Sequence, residues 1–129
     1  MRRDMELVRK LLIDTADNVS EYNLIIIPDN QGQVEQAERD KLIKYHLEIM
    51  RQNHLLDFEA HDYLDGSCSI INVQLTWAGQ DYLSNIEDDT IWNKTKSVAQ
   101  EKGLEIAKLS FDLLKNLAAQ QAKQLLGIE

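Results

Sequence analysis

The tetrapeptide Leu64-Asp65-Gly66-Ser67 narrows the choice of fold more than any other stretch of this chain. An Asp-Gly pair supplies the backbone freedom that a tight antiparallel hairpin turn requires. Leu56, Phe58 and Ala60 alternate before it, and Ile71, Val73 and Leu75 alternate after it, both at strand period. Ahead of the hairpin, a helix is predicted to begin between Val34 and Glu38 and to run to Asn53. Its apolar stripe is Leu42, Ile43, His46, Ile49 and Met50. Behind the hairpin, Thr76 is a good N-cap for a helix that opens at Trp77 and turns Leu83 and Ile86 inward. Helix, hairpin and returning helix over residues 45–83 form the core of a winged-helix domain.

Upstream, Asp4 suits the N-cap of a first helix, with Met5, Val8, Leu11 and Leu12 at helical spacing. Arg2, Arg3, Arg9 and Lys10 are expected on or near its outer side. Residues 22–27, YNLIII, read as a short strand closed by the turn chemistry of Pro28 to Gly32. A standard helix-turn-helix needs two helices before the hairpin. Between Gln33 and Asn53 there is room for one long helix, with at most a single short turn before it.

Downstream, Glu87-Asp88-Asp89 interrupts the chain, and a helix bends or restarts there with Asp89 or Thr90 as cap. After Gly103 a last helix is predicted over residues 104–126, about 35 Å long, with Gly127 where a C′ glycine belongs. Its apolar residues fill about two thirds of the helical wheel. Either this helix is sandwiched within its own chain, or a second copy covers it through Phe111, Leu114, Ala118 and Leu125. The expected architecture is α+β and mostly helical. A winged-helix-like unit with a two-stranded wing spans residues 1–100, and the helix 104–126 packs on it or makes a dimer contact, one domain in all.

The 129 residues suit such a domain, and 43% apolar content allows a core. No apolar run approaches the roughly 20 residues needed to span a bilayer. The two arginines at the start are followed by no apolar stretch, so no secretory signal is expected. Cys68 is the only cysteine, which fits a reducing cytoplasm. The formal charge is −8, with 8 basic and 12 acidic side chains in residues 1–60 and 6 and 10 in the remainder. Neither part has the basic excess that announces nucleic-acid binding.

The strings YHLEIMRQNHLLD, LTWAGQDYL and IEDDTIWNKTK resemble the domain-of-unknown-function family 2513, small proteins frequent in phages and prophages. The matches are Arg3-Asp4-Met5, Tyr45-His46-Leu47, Leu75-Thr76-Trp77, Gly79, Asp81, Leu83, Ile86 and Asp88 to Trp92. Asn53-His54 stands where the family usually has alanine-glycine, which removes a glycine cap from the helix-to-wing corner. The resemblance implies a winged-helix-like fold and a mobile-element origin, and assigns no activity.

Candidate chemistry is sparse. His46, His54 and His61 form no metal-ligand spacing with one another or with Cys68. Glu87, Asp88 and Asp89 are better read as helix caps than as a cation site. No nucleophile–base arrangement or phosphate-cradling glycine loop occurs, so neither an enzyme nor a cofactor or metal is expected. Arg39, Lys41, Lys44 and Arg51 on the central helix are the candidate DNA contacts, with Glu35, Glu38, Asp40 and Glu48 on the same helix. The wing tip carries two aspartates and no basic residue, the reverse of a phosphate-gripping wing. Trp77 and Trp92 are assigned to the core. Two functions are expected from this: a phage-derived DNA-associated regulatory protein, or a non-enzymatic adaptor for a host or phage protein that has lost DNA binding.

Overall fold

The computed structural model describes residues 1–127. Helix α1, Met5–Ala16, begins where the Asp4 carboxylate accepts the N–H groups of Glu6 and Leu7 at 3.0 and 3.3 Å. It buries Met5, Val8, Leu11 and Leu12. The Asp4 amide itself donates to His46 Nε2 at 2.8 Å, and His46 Nδ1 lies 2.7 Å from the Leu42 carbonyl. An amide can only donate, so Nε2 is the acceptor and Nδ1 carries the proton. His46 is wholly buried on helix α2, Val34–Gln52, and joins that helix to the start of α1 with both ring nitrogens satisfied.

The hairpin is part of a larger sheet than the two strands expected. Strands β1 (Tyr22–Ile25), β2 (Leu56–Asp62) and β3 (Ser67–Leu75) form one antiparallel sheet of three strands, in the order β1-β3-β2. β1 stops at Ile25 because the amides of Ile26 and Ile27 both turn to the Gly66 carbonyl, at 2.9 and 3.0 Å. A Cβ on Gly66, whose φ is +85°, would lie 2.7 Å from the Ile27 Cβ, so the hairpin turn and the end of β1 are fitted to each other. Asp40 is another correction. It is buried and not solvated, accepting the Ile25 amide at 2.8 Å and the Gln36 side-chain amide at 2.9 Å.

The predicted alternation along β3 also shifts. Cys68, Ile70 and Val73 are buried, whereas Ile71 and Leu75 are half-buried. Between the pairs Asp57–Gln74 and Glu59–Ile71, two residues of β3 oppose one of β2, and Asn72 takes φ +56°. Such a bulge inserts one residue and reverses the phase of every side chain beyond it. On α2, Leu42 is exposed while Leu47 is buried, so the buried stripe is rotated toward Ala37, Asp40, His46, Leu47 and Met50.

The corner after α2 closes without glycine. His54 adopts φ +61°, and the Leu55 amide reaches back to the Met50 carbonyl at 2.9 Å, the bond that ends a helix when a left-handed residue follows it. The Thr76 hydroxyl donates to the His54 carbonyl and accepts the Gly79 amide at 3.0 Å, which starts α3, Trp77–Ile86. α3 passes so close to this corner that a Cβ on Gly79 would stand 1.7 Å from the Leu55 carbonyl oxygen.

Helix α4, Asp89–Glu101, is capped by Asp88, one residue earlier than expected. Asp89 is thereby free for Arg9, whose Nη2 lies 2.6 Å from it. Arg9 also donates to the Ile86 carbonyl at 2.9 Å and to the Glu87 carbonyl. With a side chain only 14% exposed, it belongs to the interior of the α1–α3–α4 corner and not to the outer side of α1.

The segment expected as one helix over 104–126 is two elements. A 3-10 turn, Ile106–Lys108, leads into extended Leu109, and the Ser110 hydroxyl then caps α5, Phe111–Leu125, by accepting the Leu113 amide at 3.1 Å. α5 is thus about 22 Å long and lies against α3 and α4, with Phe111 edge-on to Tyr82 at 5.5 Å.

Gly79→Ala is expected to lower stability by about 3 kcal/mol or more, because the obstacle is backbone and not a movable side chain. His54→Gly is expected to raise it by up to about 1 kcal/mol, since glycine has no left-handed penalty. Urea unfolding midpoints of both variants check the pair.

Candidate interaction surfaces

The outer face of α2 carries the predicted DNA contacts, and most of its charge is met locally. Lys41 Nζ lies 3.5 Å from Glu38, and Lys44 Nζ lies 4.0 Å from Glu48 and 3.5 Å from Asp62 on the hairpin. Arg51 folds down onto the Phe58 ring at 4.1 Å and donates to the Phe58 carbonyl at 3.3 Å. Arg39 donates to the Gln36 side chain at 3.1 Å and, two positions before Lys41, stands on the far side of the helix. Lys41, Lys44 and Arg51 share one side. The two lysines are each beside a carboxylate, and Arg51 is spread over an aromatic ring.

The hairpin tip has a different character. Leu64 is fully exposed, Ile27 is 66% exposed and Tyr63 53% exposed, and the Gly66 contact with Ile27 brings the three together. Asp62 and Asp65 flank them. Hydrogen bonds from the Ser67 hydroxyl and amide hold the Asp65 carboxyl below its usual range, so its negative charge is a fixed part of the turn. Cys68, one strand position further in, is buried, and desolvation together with Asp62 pushes its thiol up and away from the reactive thiolate.

Trp77 is not in the core: it is 89% exposed, whereas Trp92 is buried with its Nε1–H donating to the Glu6 carboxylate at 3.0 Å. The signal for this lay in Thr76. As N-cap it places Trp77 at the first helical position, which faces outward while the inward positions fall to Gly79, Tyr82 and Leu83. The next residue, Ala78, lines a cavity of about 330 Å³ together with His54, Tyr82, Ser110, Phe111 and Lys115. The buried Tyr82 hydroxyl has no partner, and burial drives its pKa far above the usual phenol value.

On α5, Phe111, Leu114 and Ala118 are buried within their own chain, as the sandwiched alternative expects. Leu125 is 51% exposed, with Leu113 and Leu126 also outward. His54 and His61 are exposed and far in character from buried His46. Among the described residues no three His, Cys, Asp or Glu side chains gather as a metal site, and no helix is long and apolar enough to cross a membrane.

The family model described as Hypothetical protein (DUF2513) matches residues 2–105. The chain belongs to that family. An uncharacterized protein of Haemophilus influenzae is similar, at 30% identity over 128 residues covering 98% of this chain and all of that protein. No solved structure gives a significant match. The matched region ends before α5, but the Haemophilus relative spans it. Most residues that carry the family resemblance have a task in folding: Asp4 and Asp88 cap, His46 joins helices, Gly79 admits the corner, and Asp89 and Trp92 hold α1. Trp77, Arg3 and Tyr45 retain exposed or half-exposed faces.

Leu114→Asp is expected to abolish the cooperative unfolding transition, because it strands a carboxylate in a fully buried site at a cost of several kcal/mol, about 3 or more. Far-ultraviolet circular dichroism during a thermal ramp checks this, and a well-folded monomer would place the α5 stripe between subunits instead.

Proposed function

We propose that the protein is a non-enzymatic protein-interaction module on a winged-helix-like scaffold, working in the cytoplasm and of phage or prophage type. The order α1-β1-α2-β2-β3, with a hairpin in a small antiparallel sheet, supports the scaffold. The 3-10 turn Gln31–Gln33 immediately before α2 occupies the place of the first helix of a helix-turn-helix. One observation carries the choice of partner. Of the two surfaces that a DNA-reading winged helix would set against phosphates, α2 sets Lys41 and Lys44 beside carboxylates and the hairpin tip is apolar with acidic flanks.

A polyanion gains affinity when lysines and arginines displace its counterions, and on α2 the four cations are matched by four carboxylates. Exposed aromatic and large apolar side chains rimmed by charge are instead the usual anchors of protein interfaces. Tyr63, Leu64 and Ile27 form one such group, and Trp77 is another. A homodimer through α5 would have to use Leu113, Leu125 and Leu126, since the inner stripe is occupied.

Fluorescence anisotropy on a random-sequence duplex across a salt series tests the alternative. No binding is expected at low salt. Binding that weakens steeply with salt and is lost on Lys41→Glu with Lys44→Glu would establish DNA association in its place. Affinity capture from a host lysate should retain a protein on the wild type and lose it on Leu64→Asp, a fully exposed position whose change leaves the fold intact.

A further inference from the structure

Between the residues that precede α1, the middle of α2 and the 3-10 turn before α5 lies an open cleft of about 610 Å³, lined by Arg2, Arg3, Tyr45, Glu105, Ala107 and Lys108. Three cations face one carboxylate there, on a chain whose formal charge is −8. Lys108 approaches Glu105 at 3.5 Å, but their side chains are 76% and 71% exposed, so water screens the pair and leaves it weak. Arg2 and Arg3 have no carboxylate partner among the described residues. The acid next to them, Asp4, is turned toward the Glu6 and Leu7 amides as the cap of α1.

The two arginines differ in setting. Arg3 lines the cleft but is half-buried, and its guanidinium lies 6.0 Å from the centre of the Phe111 ring, outside the cleft. Arg2 is exposed and supports no packing. Tyr45 is half-buried, and its ring is held edge-on by His46 at 5.2 Å. The scaffold accounts for His46 and Leu47 beside it, but the open side of Tyr45 has no structural task.

We propose that this cleft binds a nucleotide, with its phosphates on Arg2, Arg3 and Lys108 and its base against Tyr45. Planar guanidinium forks match phosphate oxygens two at a time, and an aromatic face accepts any base by stacking. The volume falls in the range of small-molecule sites, about 300 to 1,000 Å³. A nucleic-acid strand fits less well, because α2 beside Tyr45 carries as many carboxylates (Glu35, Glu38, Asp40, Glu48) as cations (Arg39, Lys41, Lys44, Arg51) and offers a continuing backbone no cationic excess. This site is separate from the wing tip and from Trp77, so it stands or falls independently of the protein-interaction reading.

Isothermal titration of the full chain with ATP, inorganic pyrophosphate and a single-stranded oligonucleotide at low salt tests it. ATP is expected to bind, and Arg2→Glu to weaken it by about tenfold or more, the effect of one charged contact, with the melting temperature unchanged. Tyr45→Ala should weaken ATP while leaving pyrophosphate unaffected, and Tyr45→Phe should restore it. Arg3→Glu disturbs the Phe111 contact and serves only as a folding control. Absence of ATP binding, or ATP binding indifferent to Arg2→Glu, overturns the site. Equal loss of ATP and pyrophosphate on Tyr45→Ala, or an oligonucleotide bound more tightly than ATP, overturns the nucleotide assignment.

Discussion

Helix α1 is held along its length by polar groups that come from far away in the chain, and the packing of the other helices depends on that grip. At its start the Asp4 amide donates to the His46 ring of α2, and, two residues on, the Glu6 carboxylate takes both the Trp92 indole N–H and, at 2.6 Å, the Lys96 ammonium of α4. Arg9 then reaches the carbonyls where α3 ends and the Asp89 carboxylate where α4 begins. The Arg9 contacts place charges where the backbone favours them. The last carbonyls of a helix attract a cation, and the first amides attract an anion. Because the Arg9 side chain is largely withdrawn from water, its charge-assisted bonds are stronger and more directional than a surface pair would be. The angle between α3 and α4 is therefore set by a residue of α1, and α5 lies on the two helices so arranged.

The parts of this scaffold that follow from local chemistry could be read from the residues. The apolar spacing of Met5, Val8, Leu11 and Leu12, the Asp65-Gly66 turn, and the caps Asp4 and Thr76 all act within a few positions of themselves. What escaped has a long-range cause. Arg9 and Asp40 look like solvated charges because their partners are 80 and 15 residues away, and no periodicity marks them. The bulge at Asn72 reverses the phase of β3 with a residue that is merely tolerant of a left-handed backbone, so the alternating pattern places Ile71 on the wrong side. The broad apolar surface of the last segment suggests one long helix, covered either within its own chain or by a second copy. The break at Leu109 and Ser110 divides it, and α3 and α4 cover the inner stripe that composition alone could not assign to a partner.

The surface is less legible than the core for a related reason. Lys41, Lys44 and Arg51 have the spacing of a phosphate-binding face, yet each is met by a group from its own helix or from the hairpin, and only the tertiary structure shows it. A cation beside a carboxylate contributes less to the counterion release that drives association with a polyanion. Arg2 and Arg3 are the contrast. The same chain that pairs Arg9 with Asp89 leaves these two arginines without a carboxylate, and it turns the neighbouring Asp4 away to cap a helix. Adjacent like charges repel each other, and of the two only Arg3, near the Phe111 ring, has a packing contact. Their placement around Tyr45, at a cleft with more cations than acids, has a physical reason once an anion occupies it.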